Sequence, residues 1–196
     1  MTKNPFDAIR DFENALSDYT GAPYVITTDC CTHAIELCFR YKKYNSVTVP
    51  KHTYLSVPMV FHKLNIPYTL IDQSWNNEYN FGFTNIWDSA RYLMPQMHKP
   101  GQMQCLSFGR TKPLEIGRGG AILTDDKNAY DALKKMSYDG RDLSISPWEK
   151  QQSFSIGYHY RMLPEECIIG LTKLNNNDIT HSSKYTYPDL STISIT

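Results

Sequence analysis

The chain lacks net charge, paired-cysteine motifs and long apolar runs, and each absence removes a class of function. Twenty basic residues balance twenty acidic ones, so there is no broad positive field to suit nucleic acid or an anionic membrane surface. Five cysteines are present (Cys30, Cys31, Cys38, Cys105 and Cys167), and none forms a Cys-x-x-Cys pair. An odd count without such spacing argues against a disulfide framework and against a zinc site, so no metal is expected. Buried, reduced thiols in a cytosolic setting are the better reading. No segment reaches the ~20 apolar residues of a spanning helix, and the opening Met-Thr-Lys-Asn-Pro-Phe has no apolar signal core. The expectation is a soluble, cytoplasmic protein without nucleic-acid or membrane partners. Tyrosine, by contrast, is abundant, with fourteen copies in 196 residues. Its large ring and polar tip suit half-buried sites and interfaces.

The pattern along the chain alternates helices with short strands, and no internal repeat interrupts it. Asn4-Pro5 reads as an N-cap followed by proline at the first helical position. Phe6, Ile9, Phe12, Leu16 and Tyr19 then recur at helical spacing until Gly21. Strands are expected at 24–28, 47–49, 68–71, 85–88, 104–108 and 121–124, with further helices at about 32–44, 53–64, 126–136 and 163–174. The Asn- and Gly-containing stretch 73–84 and the polar stretch 139–153 read as loops. Together these imply an α/β fold with a mostly parallel sheet over 1–174, followed by a tail or arm at 175–196. In such sheets the chemistry gathers where strands hand over to helices, here the turn at 29–33, the loop at 50–54, Asp88 and the loop at 107–112.

Lys112 is the residue most in need of a reason. It sits in a short polar loop between two apolar strands, five residues after Ser107 and ahead of a Gly117-Arg-Gly-Gly120 turn. Lysine is mostly a surface residue, and a solvated loop charge is its common role. A desolvated lysine amine is instead a nucleophile towards carbonyls and the usual anchor of pyridoxal phosphate.

The run from Ser107-Phe-Gly-Arg-Thr-Lys112 to Gly120 resembles the signature of the DegT/DnrJ/StrS sugar aminotransferases, which are fold-type I, pyridoxal-phosphate-dependent enzymes. Other motifs follow in the family's order. Cys31-Thr-His-Ala-Ile35 is similar to its Gly-Thr-x-Ala-Leu turn, and Pro50-Lys-His-Thr-Tyr54 to its Pro-x-x-Thr-aromatic segment. Trp87-Asp-Ser-Ala90 is similar to Glu-Asp-x-Ala, and Gly157-Tyr-His-Tyr-Arg-Met162 to Gly-Tyr-Asn-x-Arg-Met. The resemblance implies a three-layer, aspartate-aminotransferase-like large domain with the C-terminal small domain essentially missing, a trimmed version such as small viral or phage genomes carry.

It also implies roles. Lys112 would carry the cofactor as a Schiff base and shuttle the proton, and Asp88 would pair with the pyridine nitrogen. Tyr54 would stack on the ring, while Thr32 and His33 at a helix N-terminus, with Ser107, would hold the phosphate. His159 stands where the family has an asparagine that reaches the neighbouring subunit's cofactor. Gly109 stands in place of the usual histidine, Arg91 in place of glutamine, and Arg118 in place of an acidic or polar residue. The implied activity is transfer of an amino group, from glutamate, to a nucleotide-linked keto sugar by a homodimer with shared active sites. The alternatives are a pyridoxal-phosphate-binding regulator or partner subunit without transaminase activity, or a dehydratase or isomerase acting on sugars.

Overall fold

Alternate residues along three neighbouring strands of a computed structural model face two different cores, and this sets the three-layer architecture. The structure describes residues 5–180 and 185–194. Asn4, read above as a cap, lies outside them, as do 181–184 and 195–196 of the tail.

The elements run α1 (Pro5–Thr20), β1 (Tyr24–Thr28), α2 (Cys31–Lys42), β2 (Val47–Pro50), α3 (Ser56–Leu64), β3 (Tyr68–Ile71), β4 (Tyr79–Asn80), β5 (Ile86–Asp88), β6 (Met103–Ser107), β7 (Gly120–Thr124), α4 (Lys127–Ser137) and α5 (Pro164–Asn175). Val25, Leu106, Ala121 and Leu123 join one core with Ile9, Phe12 and Leu16 of α1 and Cys167 of α5. Their sequence neighbours Ile26, Cys105 and Ile122 face the other core, built with α2, α3 and α4. The period of two in the strands therefore separates α1 and α5 from the remaining helices. Local signals fix the helix ends. Asp126 caps α4 by accepting from the Asn128 and Ala129 N–H groups at 2.9 and 3.1 Å, and Lys43 and Asn65 end α2 and α3 in the left-handed region.

The sheet is mixed, where a mostly parallel one is expected from the sequence. A five-stranded sheet runs β1-β7-β6-β5-β4, and β2-β3 form a separate parallel pair. Only β5-β6 is parallel in the larger sheet; β1-β7, β6-β7 and β4-β5 are antiparallel. The reason lies in the connections. No helix lies between β4 and β5 or between β6 and β7, so the chain turns straight back on itself. Strand β4 is itself an addition within the expected loop 73–84. Among the described residues no helix is long and apolar enough to cross a membrane.

Residues 185–194, in the expected tail, lie on the body of the chain. The Leu190 N–H donates to the Lys51 carbonyl at 2.9 Å, and the Lys51 ammonium sits 3.2 Å from both Asp72 and Asp189. Tyr187 and Leu190 are buried there.

Candidate active site

A cavity of about 470 Å³ opens at the strand ends where β1, β5 and β6 hand over to the following segments. Strand β1 ends at Thr28, and Cys30 then takes an extended conformation as the N-cap of α2, with no side-chain cap of its own. The first N–H groups of α2 thus meet the cavity without a capping side chain. Thr32, on the first turn, lines the cavity and lies 2.6 Å, hydroxyl to hydroxyl, from Ser56 at the start of α3. Ser107, at the end of β6, adds a third hydroxyl to the wall.

Asp88 ends β5 and is buried. Its carboxylate accepts from the Tyr79 hydroxyl and from the Ala90 N–H, each at 2.9 Å. The Thr53 hydroxyl lies 2.7 Å from the Tyr79 oxygen, which extends the chain of hydroxyls leading to the carboxylate. Burial raises the Asp88 pKa above the usual carboxylate value, while the two donors and the charge of Lys112 pull it back down. Lys112 lines the same cavity, and burial lowers its amine, opposed by the charges of Asp88 and Cys31. The Cys31 thiol donates to the Cys105 carbonyl at 3.5 Å, and burial raises its pKa well above the ordinary thiol value. The lysine and the aspartate are thus each displaced towards neutrality by burial and each held back by the other's charge.

Of the residues singled out from the sequence, Thr32, Tyr54, Asp88, Ser107 and Lys112 share this cavity. Tyr54 stands at its mouth, 60% exposed, edge-on to Tyr187. His33 does not line the cavity. Being one position beyond Thr32 on α2, it is turned about 100° around the helix. Its ring stacks on Tyr160 with centroids 3.7 Å apart, and its Nδ1 lies 2.6 Å from Asp29. Burial opposes its charge, but the hydrogen bonds with Asp29 and Cys30 prevail and place its pKa at about 9. His159 is exposed, 3.2 Å from Asp139 and outside the cavity of its own chain. Arg118 also turns elsewhere, onto the Asp29 carboxylate at 2.9 Å.

Sequence reasoning missed Thr53, Tyr79, Trp75, Tyr185 and Tyr187. Arg91, noted above only as a departure, lines the cavity too. The excess of tyrosine was the one signal for the aromatic members, and it carries no position.

Comparison with known proteins places these features in a group. A sequence model described as the DegT/DnrJ/EryC1/StrS aminotransferase family matches residues 2–78 and 90–189. Over 89 residues the chain is 26% identical to the UDP-4-amino-4,6-dideoxy-N-acetyl-beta-L-altrosamine transaminase of Campylobacter jejuni, covering 45% of this chain and 23% of the relative. Over 90 residues it is 31% identical to the GDP-perosamine synthase of Escherichia coli O157:H7, covering 46% of this chain and 24% of that protein. NtdA from Bacillus subtilis, solved with bound cofactor PMP, superposes with a TM-score of 0.69 at 18% identity, over 85% of this chain and 47% of that one. The matches thus span about a quarter of the curated relatives and about half of that structure.

Proposed function

Because the chain belongs to the DegT/DnrJ/EryC1/StrS aminotransferase family, we propose that it forms the cofactor-binding part of a pyridoxal-phosphate-dependent aminotransferase. Its substrates are an amino donor, glutamate, and a keto sugar, most simply a nucleotide-linked one such as the names of its relatives imply. One observation carries the reading: Lys112 and the buried Asp88 line a single cavity together with the hydroxyls of Thr32, Ser56 and Ser107.

The residues present fit the cofactor. The uncapped first turn of α2 and the hydroxyls of Thr32, Ser56 and Ser107 form a neutral cradle of donors for a phosphate. Asp88, oriented by the Tyr79 hydroxyl and the Ala90 N–H, would hold a pyridinium N–H. Pyridoxal phosphate supplies the electron sink; the protein supplies orientation and proton transfer. Lys112 Nζ, whose pKa burial lowers, would add to the carbonyl and then accept and return a proton. Tyr54, at the mouth, would cover the ring face of the cofactor.

In this reading the working form is a homodimer in the cytoplasm, and His159 serves the partner's site. Its exposure supports that role, as do the exposed Ile156, Leu163, Ile168 and Ile169. The decisive experiment is a spectral titration with pyridoxal phosphate. Wild type should develop a visible band that bleaches on adding glutamate, and Lys112→Ala should show none. A wild-type chain that stays colourless would overturn the cofactor reading; a band that glutamate leaves untouched would favour a binder without transaminase activity.

A further inference from the structure

A second cavity, of about 490 Å³, lies beside the first, and the two share Trp75, Asn77, Arg91, Tyr185 and Tyr187 as walls. Its remaining lining has a different chemistry. Gln73, Ser74, Asn76 and Thr186 contribute uncharged side-chain amides and hydroxyls. Trp75 and Tyr187 form a flat aromatic pair, with centroids 5.9 Å apart and planes inclined by 27°. Tyr185 packs against Tyr187 at 4.7 Å and carries the Arg91 guanidinium 5.2 Å over its ring. Arg91 also hydrogen-bonds Tyr187. The Asp72 carboxylate, also on the lining, is paired with Lys51 at 3.2 Å.

The platform is held in place. The Trp75 indole N–H donates to the His52 carbonyl at 2.8 Å, and His52 Nδ1 lies 3.1 Å from the Tyr187 carbonyl. Leu190 anchors the same segment as one of the most deeply buried side chains of the chain. Tyr187 and Trp75 therefore form a fixed wall, on which Tyr185 packs.

A phosphate asks for a helix N-terminus or clustered cations, neither of which this cavity offers, and an aliphatic ligand asks for aliphatic walls. Flat rings beside neutral amides and hydroxyls answer a different ligand, a sugar ring, whose C–H face lies on an aromatic face while its hydroxyls pair with amides. We propose that this second cavity seats the sugar ring of the amino acceptor, and that Trp75, with Tyr185 and Tyr187 from the segment 185–194, determines which sugars reach Lys112. The identity of the sugar as an acceptor rests on the transaminase reading; the binding of a sugar does not.

That independence makes a clean test. Wild-type protein is titrated with UDP-N-acetylglucosamine, and separately with UDP, by calorimetry and by tryptophan fluorescence, with and without pyridoxal phosphate. The sugar nucleotide should bind saturably in both conditions, at least about tenfold tighter than UDP. Trp75→Ala and Gln73→Ala should each weaken it about tenfold or more, Gln73→Ala deciding the matter if Trp75→Ala does not fold. Equal affinity for UDP, wild-type affinity in Gln73→Ala, or no binding up to about 10 mM would overturn the assignment. A chain that develops the cofactor band yet ignores the sugar overturns this inference alone. Sugar binding by a chain without the band overturns the cofactor reading alone.

Discussion

Gly120→Ala probes the link between the glycine turn and the active site. A Cβ at this position would lie 2.6 Å from the Cys30 carbonyl carbon and the Cys31 nitrogen, and 2.8 Å from the Leu106 oxygen. Comfortable carbon contacts begin near ~3.5 Å, so the start of α2 and strand β6 must separate by roughly 1 Å. All three obstacles are backbone, so no side-chain rotation relieves them. Overpacking costs about 1–3 kcal/mol, and this case belongs at the upper end, about 3 kcal/mol. For a chain of this size that lowers Tm by roughly 6–12 °C. Gly117→Ala is the matched control. Gly117 has φ +106, and a methyl added there would meet nothing within 4 Å. Alanine at 117 therefore carries conformational strain without a clash, about 1–2 kcal/mol. Denaturant unfolding of both variants with unchanged slope gives the two costs directly. The cofactor titration then separates them, because only Gly120→Ala displaces the first turn of α2. A misplacement of that size weakens a positioned site by up to about 100-fold. A Gly120→Ala protein that is more stable than Gly117→Ala, or that binds pyridoxal phosphate as wild type does, would refute the argument.

Two further outcomes concern the charges that hold the frame. His33 has a folded pKa of about 9 against an unfolded value near 6.5. The raised value means its contribution, on the order of 2–3 kcal/mol, is complete below about pH 6.5 and lost as pH rises through 9; the stability difference between wild type and His33→Gln should shrink over that window, and a difference independent of pH would contradict it. Glu13 is buried and accepts from the Thr27 N–H and hydroxyl at 2.9 Å and from Lys134 at 2.8 Å, tying α1 to β1 and α4. Glu13→Ala strands the mostly buried Lys134 ammonium, so unfolding by urea should show a loss of about 3–5 kcal/mol, largely recovered in a Glu13→Met, Lys134→Met double variant; a loss under about 1 kcal/mol would mean the pair is solvated.

What the sequence revealed of the fold was whatever its periodicity recorded. The helical spacing of Ile9, Phe12 and Leu16 and the Asp126 cap lie where the amino-acid pattern puts them, because local chemistry decides both. Strand β4 was illegible: it is two residues inside a polar stretch, fixed by the burial of Tyr79 and its hydroxyl on Asp88. The antiparallel turns of the sheet were equally hidden, since strand direction follows from connections whose helix content had to be known first. In the site, Thr32, Asp88 and Ser107 stand at strand ends or a helix start, and Lys112 in the loop that follows β6, positions that the alternation of elements locates. His33 shares the helix start with Thr32, but its side chain turns away, one step around the helix, onto Tyr160 and Asp29. Trp75, Tyr185 and Tyr187 come from irregular segments more than a hundred residues apart, where no period exists to be read.

The loop before Lys112 shows why the lysine occupies the cavity at all. Thr111 is β-branched yet holds φ 68, a left-handed conformation that costs about 1–2 kcal/mol. The Lys112 N–H donates to the Gly109 carbonyl at 3.2 Å, closing a tight turn across that strained residue. With Arg110 and Thr111 exposed, the turn sends the next side chain inward, so the strain is offset by the packing that follows: Pro113 and Leu114 are buried immediately after it. The result is an amine placed in a desolvated cavity by backbone geometry, with no salt bridge among the described residues holding it there. A lysine pinned by a salt bridge would stay charged and unreactive. Held by the turn, the amine lines the cavity beside Asp88, where burial lowers its pKa and the carboxylate charge opposes that shift.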